Sequence, residues 1–227
     1  MNVAVIIQGR STNFDKLVDS FSNCNYKVLF CGWEGEDIKS KGNIEVLLLK
    51  KPSSILPRYC NYQSEGVLAG IDHLSKNNYT HFLKLRWDMI PHKDDINKFI
   101  ELFISKYSNK PIFYSISLNS CSMIQDWILF GTQKDHTNYW KIHGNDVHGL
   151  QIAEHIFFVN FVKSNNLDIN LKDLGNINLL LNYLDFICKE IIQNNIRIDI
   201  FVGNEGYKSS VDIKHYGTVD TTHIVNY

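Results

Sequence analysis

Apolar residues in the first half of the chain follow two spacings, one typical of buried strands and one of amphipathic helices. The run Val3–Ile7 is continuously apolar, as expected for a strand buried on both faces. The next apolar positions recur at i, i+3, i+4 and i+7, which predicts a helix with one buried side. These positions are Phe14, Leu17, Val18 and Phe21. Further strand patterns lie at 27–32, 44–49 and 82–88, and a helical pattern lies at 62–74. Strands separated by helices predict an α/β fold with a mostly parallel sheet.

The second half of the chain is less regular. Strand patterns are predicted at 111–117, 126–131 and 196–202, and helices at 153–162 and 177–192. Asp135 and Trp140 lie on a short helical stretch after the second of these strands. Because no internal repeat, low-complexity tract or linker interrupts the pattern, we expect one domain over residues 1–227.

Composition narrows the class of protein. The chain has 23 basic and 24 acidic residues and no basic stripe, which argues against nucleic-acid binding. Its five scattered cysteines lack a CxxC pair and are typical of reduced cytoplasmic thiols. The first residues lack the basic segment of a signal peptide, and no apolar run approaches the roughly 20 residues that span a bilayer. We therefore expect a cytoplasmic protein without a transmembrane segment; peripheral contact with the inner face of the membrane stays open.

The strand pattern at 82–88 ends in a cluster of opposite charges. Lys84, Arg86 and Asp88 alternate along it, so their side chains are expected to project from one face. Pro91 follows directly and predicts the end of central pairing. In open α/β sheets ligands bind at the carboxyl ends of strands, where a carboxylate can hold a divalent metal and a guanidinium can hold phosphate. The alternative is a structural Arg–Asp pair at a solvated strand end.

Two other predicted strands end in residues suited to a nucleotide. The first strand runs into the turn Gln8-Gly9-Arg10-Ser11. Gly9 would let the backbone approach a ligand at the start of a helix, and Arg10 could contribute charge for a diphosphate. The turn lacks the GxGxxG fingerprint of dinucleotide binding. Trp33 and Glu34 close the second strand, where an acid commonly binds ribose hydroxyls and an indole could stack on a base. An ordinary βα turn and a core tryptophan are the alternatives.

One face of the helix at 62–74 carries Gln63, Gly66 and Gly70. Each glycine costs about 1 kcal/mol of helix stability, so its presence indicates a packing reason. The two glycines therefore predict a close approach of this helix to the sheet. Gln63, on the first turn, could reach a substrate at the sheet edge, or it could simply cap its own helix.

Candidate residues in the second half combine acids with aromatic rings. Asp126 and Trp127 begin one strand, and Asp135 follows it; carboxylates accept sugar hydroxyls and flat rings cover the apolar face of a pyranose. Glu154 is in the first turn of an apolar helix, where it could serve as a general base or as a cap. His215, on a late strand-like stretch, could contact a metal or a phosphate. A core role for the aromatic residues is the alternative.

Four separated motifs in this order resemble the WavE family of lipopolysaccharide-synthesis proteins. They are Val5-Ile-Ile-Gln-Gly-Arg10, Asn61…Gln63-Ser64…Gly66, Leu83-Lys-Leu-Arg-Trp-Asp88 and Asp126-Trp-Ile-Leu-Phe-Gly131…Asp135…Trp140. The resemblance covers most of residues 3–160. It implies a nucleotide-sugar-dependent glycosyltransferase with a GT-A-type fold, that is, a Rossmann-like mixed, mostly parallel sheet flanked by helices.

The resemblance also implies roles for the charged residues. Asp88 would take the place of the Asp-x-Asp metal motif, and His215 resembles the third metal ligand of many GT-A enzymes. The ion would be Mn²⁺ or Mg²⁺. The chain departs from the full motif, because Arg86 stands where the first acid would be. Arg86 and Lys84 could therefore neutralise part of the diphosphate themselves.

The expected reaction is glycosyl transfer from a UDP- or GDP-type sugar donor to a hydroxyl of a glycan or glycolipid acceptor. Residues 1–95 would bind the nucleotide, and residues 96–227 would form the acceptor side. Asp126 or Glu154 would deprotonate the acceptor if the enzyme inverts configuration. The alternatives are a sugar nucleotidyltransferase and a non-catalytic module that binds a nucleotide or a carbohydrate.

Overall fold

The structure, a computed structural model, describes residues 1–53, 56, 60–107, 114–115, 128–142, 153–167, 185–186 and 193–200. These residues form a mixed, mostly parallel sheet with helices on both faces, so the predicted α/β fold class is confirmed. The strands are β1 (Val3–Gln8), β2 (Lys27–Trp33), β3 (Ile44–Leu49), β4 (His81–Arg86), β5 (Met89–Pro91), β6 (Tyr114–Ser115), β7 (Ile128–Thr132), β8 (Asp185–Phe186) and β9 (Ile198–Ile200). The helices are α1 (Phe14–Ser20), α2 (Cys60–Ser75), α3 (Ile96–Lys106), α4 (Gln133–Trp140) and α5 (Ala153–Ser164), and a 3-10 turn spans Ser11–Asn13.

The order of strands in the main sheet creates a crevice between β1 and β4. The order is β3-β2-β1-β4-β7-β6-β8, with β1 to β4 parallel and β7 antiparallel to β4. From β1 the chain moves outward through β2 and β3, then returns over α2 to β4 on the other side of β1. Such a reversal leaves a gap at the carboxyl edge of the sheet, where α/β proteins bind ligands. The register places Gln8 opposite both Cys31 and Arg86, so three strands end at this gap.

Each face of the sheet has its own core, as the two-sided apolar strands predicted. On one face, Phe14, Leu17 and Phe21 of α1 and its C-terminal end are buried against odd-numbered residues of β1. On the other face, α2, α4 and α5 pack on even-numbered residues of β1 and on Phe82. The strand and helix expected from residues 3–21 are therefore confirmed.

The two glycines of α2 allow the predicted close approach of this helix to the sheet. A Cβ on Gly70 would lie 2.7 Å from the Cys31 sulfur, and one on Gly66 would lie 3.0 Å from Cγ of Gln8. Burial raises the pKa of the Cys31 thiol to about 12, so this thiol is unreactive. Cys24, Cys31 and Cys60 are free and buried.

Pairing in the main sheet ends before Pro91, as expected; this residue lies in β5, which pairs with β9 in a separate two-stranded sheet. Two expectations about secondary structure were wrong. The strand predicted at 82–88 ends at Arg86, so Asp88 lies in a turn, where its side-chain direction no longer follows strand alternation. Within the helix predicted at 177–192, residues Asp185–Phe186 form a strand beside β6. The rest of that range lies outside the described residues.

Helix α3 was not predicted from the sequence, although the spacing of its apolar residues indicates it. Ile96, Phe99, Ile100 and Phe103 recur at i, i+3, i+4 and i+7, and all four are fully buried.

An ion pair lies at the start of α3. Asp95 precedes this helix, and its Oδ2 accepts a hydrogen bond from Nε of Arg197 at 2.8 Å. Burial raises the pKa of Asp95, but the hydrogen bonds and charge of Arg197 outweigh burial and hold the pKa below its usual range. This ion pair ties segment 193–200 to the start of α3.

A network of buried polar side chains links α4 to β4. His136 Nε2 donates to the Phe82 carbonyl at 2.9 Å, and Trp140 Nε1 donates to Nδ1 of His136 at 3.2 Å. The Lys84 ammonium lies 4.8 Å from the centre of the Trp140 ring. His136 and Lys84 are both completely buried. Burial, with a smaller contribution from the Lys84 charge, lowers the pKa of His136 to about 4, so the imidazole is neutral.

The neutral His136 is expected to make the fold sensitive to mild acid. Its pKa is about 4 in the folded chain and near 6.5 when unfolded, so stability is complete above pH 6.5 and falls as pH decreases towards 4. Between pH 7 and pH 5 the loss from this group is about 2 kcal/mol. Denaturant unfolding across this range measures it. His136→Gln should show a flatter pH dependence than the parent chain; an equally steep one would contradict the assignment.

Across the described residues, no helix combines the length and the apolarity that crossing a bilayer requires. The assignment of residues 1–227 to one domain stays a prediction.

Candidate functional site

A crevice of about 550 Å³ opens at the carboxyl edge of the sheet, at the gap between β1 and β4. Its walls come from the ends of β1, β2 and β4 and from the first turn of α2. The lining residues are Gln8, Gly9, Arg10, Ser11, Thr12, Trp33, Glu36, Lys51, Tyr62, Gln63, Arg86 and Trp87. Seven of the ten residues predicted to bind a nucleotide sugar are therefore together here, although the sequence separates them by up to 78 positions.

Gly9 and Trp87 shape the floor of the crevice. Gly9 has a φ of +143°, which side chains rarely adopt, and a Cβ there would lie 1.9 Å from Cδ1 of the Trp87 ring. The Trp87 backbone N–H donates to the Gln8 carbonyl at 3.2 Å, which holds the indole against this turn. Only glycine therefore fits at position 9 while Trp87 keeps its place.

An aromatic pair forms one wall. The rings of Trp33 and Tyr62 meet edge to face, with centroids 4.9 Å apart and planes 70° apart. Trp33 is 7% exposed, so most of it is core, whereas Tyr62 is half-buried and lines the crevice. The Tyr62 ring therefore offers surface in the crevice for a flat ligand.

Gln63 has an unsatisfied acceptor beside this aromatic wall. Its Oε1 is buried, and no donor among the described residues binds it. A buried acceptor without a partner costs about 1–3 kcal/mol, so such groups usually have a reason to be present. Gln63 lines the crevice, so rotation of its side chain would allow the oxygen to accept from a ligand hydroxyl or N–H there.

Three basic side chains line the crevice: Arg10, Lys51 and Arg86. Arg10 and Lys51 are exposed, and Arg86 is half-buried. Glu36 is the one lining carboxylate in the described part of the chain; its Oε2 accepts from the Trp33 backbone N–H at 3.4 Å. Basic residues therefore outnumber the acid in the lining, which favours an anionic ligand.

Asp88 binds Arg86 with both carboxylate oxygens. Arg86 Nε donates to Oδ1 at 2.5 Å and Nη2 donates to Oδ2 at 2.9 Å, a bidentate geometry. The Asp88 side chain is only 17% exposed and does not line the crevice. Its contact holds the Arg86 guanidinium in one orientation.

The predicted metal site at Asp88 and His215 stays a prediction. Arg86 binds both oxygens of the Asp88 carboxylate, so a metal ion there would have to share the carboxylate with the guanidinium. Among the described residues there is also no group of three or more His, Cys, Asp or Glu that could hold a metal ion. His215, the other predicted metal ligand, lies outside the described residues.

Besides Asp88, three predicted site residues are described but do not line the crevice. Glu34 is exposed, and its backbone pairs with Leu49; the acid that faces the crevice is Glu36, two positions later. Lys84 projects from the expected face of β4, but α4 covers it completely. The third is Asp135.

Asp135 has a structural role at the other end of the sheet. Its side chain accepts from both the backbone N–H and the hydroxyl of Thr132, forming a capping box at the start of α4. Thr132 pairs with His81 at the amino end of β4, whereas the crevice lies at the carboxyl end.

The remaining predicted residues cannot be placed in the crevice. Asp126, Trp127 and His215 lie outside the described residues. Glu154 is on α5, as predicted, but its side chain is also outside the described part of the chain.

The sequence analysis missed Thr12, Glu36, Lys51, Tyr62 and Trp87 as crevice residues. Each is within three positions of a predicted site residue or a strand end. Lys51 and Trp87 follow the ends of β3 and β4, so the rule that ligands bind at strand ends could have found them. The side-chain direction of Glu36 depends on the turn after β2, and that of Tyr62 depends on the turn before α2. The sequence contains no clear indication of the geometry of either turn.

Comparison with known proteins identifies no family. No protein-family model matches the sequence and no curated protein matches it, so the resemblance to the WavE family lacks a match that would support it. Similar solved structures include a glycosyltransferase involved in glycosylation of the major capsid of PBCV-1, with 11% identity over 64% of this chain and 68% of that chain, at a TM-score of 0.43. Another is described as mannose-1-phosphate geranyltransferase from Thermus thermophilus, with 7% identity over 77% of this chain and 67% of that chain, at a TM-score of 0.41. Likeness at such identities concerns the fold, so the activities of these proteins are not assigned to this chain.

Proposed function

We propose that the crevice binds the nucleoside diphosphate of a sugar donor and that the protein is a glycosyltransferase acting on a glycan or glycolipid hydroxyl. The observation that carries the proposal is the composition of one continuous crevice. It combines an aromatic wall, an unsatisfied amide acceptor and three basic side chains at the switch point of the sheet.

The nucleoside is proposed to lie along the wall formed by Trp33 and Tyr62. The exposed part of the Tyr62 ring would pack against the base. Gln63 Oε1 would accept from an N–H of the base or a ribose hydroxyl, and Glu36 could accept from the ribose as well. Both acceptors neighbour the aromatic pair, because Gln63 follows Tyr62 in α2 and Glu36 accepts from the Trp33 backbone N–H.

The diphosphate is proposed to lie against Arg86. The exposed side chains of Arg10 and Lys51 would contact the phosphates from the solvent side. Arg86 is already oriented by Asp88, so it binds without losing much side-chain freedom. Because Arg86 binds Asp88, we expect the basic side chains, and not a metal ion, to neutralise the negative charge of the diphosphate.

In the proposed reaction the bond between the anomeric carbon and the phosphate oxygen breaks. Its electron pair leaves with the nucleoside diphosphate, and Arg86, Arg10 and Lys51 would stabilise the growing charge. The acceptor oxygen bonds to the anomeric carbon, and its proton passes to a carboxylate. Asp126 and Glu154 are the candidates for this base, as the sequence predicted.

Thermal unfolding with UDP, GDP and CDP tests the proposal, each measured with Mn²⁺ and with EDTA. At least one nucleoside diphosphate is expected to raise the melting temperature, and to do so in EDTA too. Stabilisation that needs Mn²⁺ would contradict the role given to basic side chains. No response to any of the three would contradict the donor site. Turnover of a sugar nucleotide, rather than of a nucleoside triphosphate with a sugar phosphate, then separates a glycosyltransferase from a nucleotidyltransferase.

Gln63→Met is expected to weaken nucleotide binding about tenfold, since one hydrogen bond is lost. It should not lower the melting temperature, because the variant also removes an unsatisfied buried oxygen. Calorimetric titration and thermal unfolding measure the two effects. Gln133→Met is the matched control: Gln133 also lies in a first helical turn, but it is exposed at the other end of the sheet. Equal losses of affinity in both variants would contradict a contact by Gln63.

A further inference from the structure

A second concave surface adjoins the crevice on the side of α1. This surface, called here the α1 groove, has a volume of about 600 Å³ and lies between residues 11–16 and the loop 37–41. Ser11 and Thr12 line both the groove and the crevice. A ligand in the groove would therefore extend to the mouth of the crevice, where the proposed donor is held.

Asn13 gives the groove an unsatisfied donor. Its side chain is 8% exposed, and its Nδ2 is buried without an acceptor among the described residues. Asn13 lies at the N-cap of α1, where asparagine usually accepts from the helix backbone, but its side chain makes no such bond. The amide nitrogen therefore has no partner in the helix or the core among the described residues, and Asn13 is one of the residues that line the groove.

The charges of the groove are mixed. Three lysines and two aspartates line it, at positions 15, 16, 37, 39 and 41, and Lys41 Nζ donates to Asp15 Oδ1 at 2.9 Å. A site for an anion would be lined by hydrogen-bond donors and would lack carboxylates, because carboxylates repel an anionic ligand. A sugar hydroxyl both donates and accepts, so a sugar needs the two kinds of partner together. Phe14 and Ile38 add apolar surface to the same lining, which suits the C–H faces of a pyranose.

We propose that the α1 groove is the acceptor subsite and that it binds a neutral glycan. Asn13 Nδ2 donates to a hydroxyl oxygen, after a small rotation of its side chain, and Asp37 accepts from another hydroxyl. The glycan chain runs from the groove past Ser11 and Thr12 to the crevice. The role of the groove as an acceptor subsite rests on the proposed function. The binding of a glycan to the groove can be measured independently of that function.

Nuclear magnetic resonance of the ¹⁵N-labelled chain of 227 residues tests the groove. The probes are the methyl glycosides of glucose, galactose, mannose and N-acetylglucosamine, with inorganic phosphate as the anionic comparison. At least one glycoside is expected to shift the Asn13 side-chain amide signal in a saturable way. Asn13→Leu should weaken that binding about tenfold, the effect of one hydrogen bond. No shift with any glycoside, or a tighter response to phosphate, overturns the inference.

Thermal unfolding gives a second readout that separates binding from structure. Asn13→Leu is expected to keep or raise the melting temperature, because it removes a buried donor without a partner. Asn97→Leu is the matched contrast: its amide bonds the Asn25 N–H and the Asn23 carbonyl, each at 2.8 Å, so this variant should lower the melting temperature and leave glycoside binding intact. A lowered melting temperature for Asn13→Leu would show that the amide has a structural partner and would overturn its role here.

The two proposals can fail separately. If a nucleoside diphosphate binds and no glycoside shifts Asn13, the donor site stands and the groove inference is wrong. If a glycoside shifts Asn13 and no nucleotide binds, the groove binds a glycan but is not an acceptor subsite of a nucleotide-sugar transferase.

Discussion

Gly9→Ala is expected to lower the free energy of unfolding by more than about 3 kcal/mol and to abolish nucleotide binding. Two effects add. The φ of +143° at position 9 strains any residue with a Cβ, and the new methyl group would lie 1.9 Å from Cδ1 and 2.6 Å from Cγ of Trp87. Trp87 would have to move, and it forms the floor of the crevice. Denaturant unfolding measures the first loss and calorimetric titration with the nucleoside diphosphate measures the second.

Gly35→Ala is the control for backbone strain. Gly35 also has a positive φ, +92°, but nothing lies within 4 Å of the position that a Cβ would take. This variant should lose only the strain energy, about 1–3 kcal/mol. Its affinity for the nucleotide should fall by about tenfold at most, the effect of the one hydrogen bond accepted by Glu36, which follows this turn. Replacing Trp87 with alanine in the Gly9→Ala chain should recover part of the stability, since the collision is gone. If the two glycine variants lose the same stability and neither loses affinity, the contact between Gly9 and Trp87 does not shape a binding site.

Arg86→Met is expected to weaken binding of the nucleoside diphosphate about 100-fold. A hydrogen bond to a charged group contributes about 1.5–3 kcal/mol, and each 1.4 kcal/mol is about tenfold in affinity. The released Asp88 carboxylate would add repulsion to the phosphates. Calorimetric titration measures the change, and circular dichroism reports whether the fold is kept.

Arg197→Met is the matched control for Arg86. Arg197 also binds carboxylates, those of Asp94 and Asp95, but away from the crevice. It should keep nucleotide affinity. Adding Asp88→Asn to Arg86→Met should cause no further loss, because Asp88 is proposed to act only by positioning Arg86. Two results would show that Asp88 is a metal ligand instead. One is a strong further loss of nucleotide affinity in the double variant; the other is a loss of affinity in Asp88→Asn that is seen only when Mn²⁺ is present.

The sequence predicted the framework of the site because strand ends are local signals. The apolar run of β1 and the turn Gln8-Gly9 determine where the chain leaves the sheet, and the glycines of α2 indicate which helix face approaches it. Once parallel strands are paired in register, their carboxyl ends meet at one edge. The parallel pairing of β1 with β4 therefore places Arg10 and Arg86 at the same edge, although they are far apart in the sequence.

Side-chain direction at the site could not be predicted in the same way. Lys84 and Arg86 do share a face of β4, but whether that face meets ligand or core depends on where α4 packs, and α4 covers Lys84. Asp88 follows a turn instead of the strand, so alternation no longer applied to it. Glu36 faces the crevice in place of Glu34 because of the turn after β2, where Gly35 has a positive φ. Each miss arose from tertiary packing or turn geometry.

The central claim is that one nucleoside diphosphate binds between the aromatic wall and Arg86. The most direct measurement is titration of the ¹⁵N-labelled chain with UDP, GDP and CDP in EDTA, with the indole signals of Trp33 and Trp87 followed. One of the three nucleotides is expected to shift both signals in a saturable way, and Arg86→Met is expected to remove most of this response. If none of the three shifts either indole signal, the crevice is not a nucleotide site.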